Sequence, residues 1–115
     1  MAEPTTVNTR AVTETVSVID IVGDVMPSTD DMLLEAFAKC EPAQVVVLNF
    51  TDLAYMNSGG IGLLVTMLVR AQRSGQALRA YGLSDHYRHI FQLTRLDDTI
   101  QLHDSEAAAI AAVEP

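Results

Sequence analysis

Between Glu14 and Val22 the chain sets Val16, Val18, Ile19, Ile21 and Val22 close together, a β-branched run that predicts a strand closed by Gly23. The pattern changes at Pro27-Ser28-Thr29-Asp30-Asp31. Ser28 or Thr29 can cap orphan amides there, and the two aspartates suit the positive end of a helix dipole. Met32, Leu33, Ala36, Phe37 and Cys40 follow at helical spacing, with Pro42 just beyond. Val45 to Phe50 is apolar except for Asn49, as expected of a strand buried on both faces of a sheet.

A second helix is expected from near Ser58 to about Ser74, with Gly75 as its stop. Ile61, Leu64, Val65 and Leu68 form its predicted buried face, widened by Leu63, Met67 and Val69. Arg70 and Arg73 complement the negative end of its dipole. Ala77 to Tyr81 reads as another strand, ending at Gly82. Ser84-Asp85 opens a third helix with Tyr87, Ile90, Phe91 and Thr94 along one side. Ile100 to Leu102 makes a short strand, and Asp104-Ser105 caps an alanine-rich helix from Glu106 to Val113. Residues 1–11 read as a loose end or a short edge strand, with 1–6 flexible. Strands alternating with helices give an α/β domain with a largely parallel or mixed sheet of four to five strands and about four helices. Its β-α-β crossovers should be right-handed.

Composition narrows this picture. At 115 residues the chain forms a single domain, residues 1–115, and with 49% hydrophobic residues, no tryptophan and 5% aromatics its core is aliphatic. A formal net charge of −8 argues against sequence-independent binding to phosphate backbones or insertion into anionic membranes. The charge is uneven: residues 1–57 carry nine acids against Arg10 and Lys39, whereas residues 58–115 carry six acids and five arginines. An acidic part and a mildly basic part, Arg70 to Arg95, are therefore expected. Cys40 is the sole cysteine, which excludes an intrachain disulfide and fits a reducing, cytoplasmic compartment. The longest strongly apolar run, Ile61 to Val69, is too short to span a membrane.

Candidate chemistry concentrates in Tyr55-Met56-Asn57-Ser58-Gly59-Gly60-Ile61-Gly62, between a buried strand and a buried helix. Glycines are costly inside a helix, by about 1 kcal/mol each relative to alanine, unless something approaches closely or the turn needs unusual angles. Ser58 would sit at the cap among unpaired amides, as a plain N-cap, a functional group, or both. The phosphate-cradling G-x-x-x-x-G-K-[ST] pattern fails for want of a lysine, and the dinucleotide fingerprint meets Val65 where its third glycine belongs. A nucleophile elbow would need glycine at Met56, so a serine hydrolase using Ser58, with His86, His89 or His103 as base, is a remote alternative. Metal binding has no support, since Cys40 stands alone and no His/Glu pair has ligand spacing.

The run VVVLNFTDLAYMNSGGIGLLV, followed by SGQALRAYGLSDHYRHIFQLTRLDD, resembles the STAS domain of anti-sigma factor antagonists. In that family a hydrophobic strand leads into an Asp-Ser-x-Gly-hydrophobic-Gly segment and a helix, and a later helix ends in a Thr-Gly-Leu-like motif. The resemblance covers about residues 7–113. It implies a single STAS-like domain that is not an enzyme, has no catalytic residue and needs no cofactor. It also implies a partner-binding segment of Asn57, Ser58, Gly59, Gly60 and Gly62, with phosphorylation at Ser58. The implied partners are an anti-sigma factor with serine kinase activity, bound when Ser58 is unphosphorylated, and a phosphatase that resets it. A STAS scaffold subunit in a signalling complex or transporter is the alternative role. Three positions depart from the family pattern: Asn57 replaces the aspartate before the serine, Arg95 replaces the glycine of Thr-Gly-Leu, and Asp24-Val25-Met26 replaces Glu-Leu-Asp.

Overall fold

The computed structural model describes residues 5–40 and 43–111. Strand β1 (Thr6–Ala11) is followed by β2 (Val16–Val25), a 3₁₀ turn (Pro27–Thr29) and helix α1 (Asp30–Ala38). Strands β3 (Val45–Asn49) and β4 (Leu53–Met56) lead into α2 (Ser58–Arg73). Then come β5 (Ala77–Tyr81), α3 (Asp85–Leu93), a second 3₁₀ turn (Leu96–Asp98), β6 (Ile100–His103) and α4 (Glu106–Ala111). The expected end of α4 at Val113 lies outside the described residues.

The sheet runs β1-β2-β3-β5-β6, with β1 antiparallel to β2 and the other neighbours parallel. This is the expected mixed sheet, with one strand more than the four to five anticipated: β4 pairs in parallel with the last residues of β2. Its four residues bury only Met56 fully, so it lacks the apolar run that marks a strand in sequence. Gly23 does not close β2 as expected. It adopts φ 97° and takes the strand through a register shift, so that Asp24 and Val25 pair with Tyr55 and Met56.

Alternation along the strands builds two cores. Ile19, Ile21, Val46, Leu48, Leu78 and Ala80 face α1, α2 and α3, where they meet Leu33, Phe37, Leu64, Met67 and Phe91. Val16, Val18, Val45 and Val47 point the other way, toward Ala109 and Ile110 of α4. The buried face of α2 is rotated from the predicted one: Gly60, Leu63, Leu64, Met67 and Ala71 are inside, while Val65 and Val69 are 42% and 41% exposed. The sequence cannot separate these faces, because α2 is apolar on most of its circumference. Met32, expected inside, is also exposed. Cys40 is fully buried and free, and burial pushes its thiol up from the ordinary value.

On the α4 side, Asp20, Asn49, Tyr81 and His103 are successive register partners across four strands. Arg10 donates to Asp20 at 2.5 and 2.8 Å and to Glu106 at 2.7 Å, and the Tyr81 hydroxyl donates to Glu106 at 2.8 Å. The Arg10 hydrogen bonds hold the Asp20 and Glu106 carboxyls below their ordinary values. Burial, and then the bond to Glu106, pushes Tyr81 up to about 12.

Candidate functional site

The parallel strands all deliver their helices at one end of the sheet, so the first turns of α1, α2, α3 and α4 share that end. The candidate segment lies where β2 and β4 finish side by side, with Val25 opposite Met56. The Asn57 amide donates to the Val25 carbonyl at 3.4 Å, and Gly60 packs against that same carbonyl. A Cβ on Gly60 would stand 2.4 Å from the Val25 oxygen and 2.9 Å from Met56 Cγ. The glycine at 60 is thus required by a close approach inside the fold. Gly62 differs: it is exposed, and a Cβ there would meet nothing within 4 Å.

Asn57, not Ser58, is the N-cap of α2. Its backbone is extended (φ −93°, ψ −178°), and its side-chain oxygen accepts from the Gly60 amide at 2.9 Å. Ser58 is therefore the first helical residue rather than the cap the sequence suggested. It is exposed, its hydroxyl has no hydrogen-bond partner, and its amide and that of Gly59 find no acceptor among the described residues. A free hydroxyl thus stands beside two free amides at the positive end of a helix of 16 residues. The loop before it is tied to α3, because the Met56 amide donates to the Tyr87 hydroxyl at 2.9 Å. That anchor has no short-range sequence signature, since the two residues lie 31 positions apart.

The other helix starts follow expectation in part. Ser84 accepts from Tyr87 N and Ser105 from Ala108 N, as caps should. Thr29 holds the cap position of α1, but its hydroxyl turns back to the Met26 carbonyl at 2.7 Å and caps nothing.

The histidines weighed as bases for a serine nucleophile are not brought to Ser58. His86 and His89 are exposed on α3 and neither hydrogen-bonds the hydroxyl. His103 faces the α4 side of the sheet, away from α2. Among the described residues no cluster of His, Cys, Asp or Glu has the arrangement to hold a metal ion.

The acidic half resolves into separate groups. Asp24, Asp30 and Asp31 sit at the same end of the sheet as Ser58, in the last turn of β2 pairing and the first turn of α1. Asp20 is neutralised by Arg10, and Glu14 lies in the β1–β2 turn at the opposite end. The expected basic part does not form one patch. Arg79 is buried and bonded to Gln101, Arg88 pairs with Asp104, and Arg95 lies 3.9 Å from Asp98. Arg70 and Arg73 stand at the far end of α2.

Residues 8–104 match the family described as "Mlab, STAS domain". The chain is 28% identical over 90 residues to an anti-sigma-B factor antagonist of Listeria monocytogenes, covering 76% of this chain and 79% of that protein. Its fold is similar to that of the anti-sigma factor antagonist SpoIIAA in its unphosphorylated form, with a TM-score of 0.77 at 20% identity over 94% of this chain and 96% of that one. A sulfate transporter family protein from Wolinella succinogenes is equally similar in fold, with a TM-score of 0.77 at 18% identity over 90% of this chain and 88% of that one. Among the described residues no helix is long and apolar enough to cross a membrane.

Proposed function

Because the chain belongs to the STAS domain family, we propose that it is an anti-sigma factor antagonist switched by phosphorylation at Ser58. Unphosphorylated, it binds an anti-sigma factor that is also a serine kinase and so frees a sigma factor. The kinase then transfers the γ-phosphoryl group of ATP to Ser58 Oγ, the hydroxyl proton is lost and ADP leaves. A phosphatase restores the hydroxyl.

The observation that carries this reading is the exposed, unpartnered Ser58 hydroxyl on the first turn of α2. A phosphoserine adds about −1.5 to −2 charges at neutral pH, which the helix terminus accommodates locally. The fold therefore survives modification. The surroundings do not favour it at an interface: Asp24, Asp30 and Asp31 already load this end of the sheet with negative charge. Beyond Ser58 the outer side of α2 continues through Gly62, Val65 and Val69, a smooth and partly apolar surface suited to a close protein partner. The fold alone is shared with a transporter-family protein, so the sequence likeness to a named antagonist favours this role over a scaffold subunit.

Incubation with a cognate kinase and ATP, read by intact mass and peptide mapping, is expected to add one phosphate at Ser58 and none to Ser58→Ala. Ser58→Glu should stay folded and lose the partner. A glutamate variant that binds as tightly as the parent would sink the switch.

A further inference from the structure

At the other end of α2 from Ser58, a cavity of ≈ 280 Å³ is lined by Leu34, Phe37 and Ala38 of α1 and by Arg70, Arg73 and Ser74. Helical rise puts this end roughly 20 Å from Ser58. Arg70 and Arg73 are exposed, and neither has a carboxylate within salt-bridge reach among the described residues. Three positions apart on one helix, their guanidiniums project from neighbouring sites on its surface. Beneath them lies an apolar floor, with Phe37 only 5% exposed. At one end, buried Gln76 donates to the Cys40 and Ala43 carbonyls, both at 2.9 Å. Complementing the helix dipole explains why arginines suit this terminus. It does not explain an apolar cavity directly under both of them.

We propose that this cavity binds a small organic anion, with a carboxylate or phosphate head held by Arg70 and Arg73 and an acyl or aryl arm over Leu34 and Phe37. The head is charge-complementary to two guanidiniums that have no ion-pair partner among the described residues, on a chain of net charge −8. The arm covers apolar surface that water wets poorly. The ligand is a small molecule rather than a macromolecule, because the concavity offers only ≈ 280 Å³. This site is independent of the antagonist reading and stands or falls without it.

The test is an amide and arginine-side-chain NMR titration of the full chain with decanoate, with phenyl phosphate and with inorganic phosphate. Saturable shifts confined to residues 34–38 and 70–76 are expected with at least one of the two organic anions, and which one binds identifies the preferred pairing of head and arm. Inorganic phosphate, lacking the arm, should bind about tenfold more weakly or worse. The double variant Arg70→Gln/Arg73→Gln, changed only at exposed positions, should lose affinity by about tenfold or more, whereas Ser58→Ala should bind like the parent. Shifts spread over other faces, equal affinity for inorganic phosphate, or undiminished binding by the double variant would overturn the proposal.

Discussion

The side-chain oxygen of Asn57 accepts a hydrogen bond from the backbone amide of Gly60 at 2.9 Å, and this single contact begins α2. An aspartate can make the same bond, so the departure from the family pattern at this position changes charge and leaves the cap intact. Asn57→Ala should lower stability by about 1 kcal/mol. Asn57→Asp should match or exceed the parent, since a carboxylate at a helix N-terminus contributes about 0.3–1 kcal/mol. Urea denaturation midpoints of the three proteins check the order.

Gly60 and Gly62 should respond in opposite directions to the same substitution. Gly60→Ala drives a methyl to within 2.4 Å of the Val25 carbonyl, a backbone atom that cannot swing away, and should cost about 1–3 kcal/mol. Gly62→Ala meets open space in a helix interior and should gain about 1 kcal/mol. Under the proposed antagonist role, the stabilised Gly62→Ala protein should nonetheless bind its partner more weakly. Thermal melts paired with a binding assay separate the two effects.

Arg95 adopts φ 62°, ψ 20°, the left-handed region that favours glycine, at the position where the family motif carries glycine. Its ion pair with Asp98 spans 3.9 Å between exposed side chains and offers little in return. Arg95→Gly should therefore stabilise the fold by about 0.5–1 kcal/mol. Arg95→Ala, which keeps the strain, should not. Calorimetric melting of the two variants against the parent decides it.

His103 should make the fold acid-sensitive. Burial, and then the charge of Arg79, lowers its pKa from the ordinary 6.5, with Asp104 opposing, and its Nε2 is buried without a partner among the described residues. The unfolded chain takes up a proton at this residue that the folded one resists. Its contribution is thus fully present above the unfolded value and is lost as pH falls through it toward the lower folded value. Stability measured from pH 7.5 to 5.5 should decline less steeply in His103→Gln than in the parent.

The architecture is written in runs long enough to read: the strand around Val18, the apolar stretch from Val45 and the helix start at Ser84 all stand as expected. What escapes sequence reasoning is set by tertiary approach. Gly60 is glycine because Val25, 35 positions earlier, passes under it. Strand β4 exists because Gly23 carries β2 onward to meet it, and its own residues show no alternation strong enough to announce a strand. The rotation of α2 follows from the same contact at Gly60, which fixes the side of the helix that turns inward. At the site, the start of α2 near Ser58 is legible in the sequence, but which residue caps it is not. Asn57 took the cap because its extended backbone could, leaving the serine hydroxyl unengaged.

Strand β1 pairs with β2 from Thr6 to Ala11 and is pinned at two further points, Thr9 to the Ala36 carbonyl and Arg10 to Glu106 of the last helix. It therefore works as an edge guard. Peeled away, it would uncover the hydrogen-bonding rim of the longest strand in the sheet, a template on which a second molecule could lay its own β2. The Arg10 guanidinium, bonded to Asp20 of β2 and to Glu106 of the last helix, adds to the six-residue ladder that keeps this rim covered.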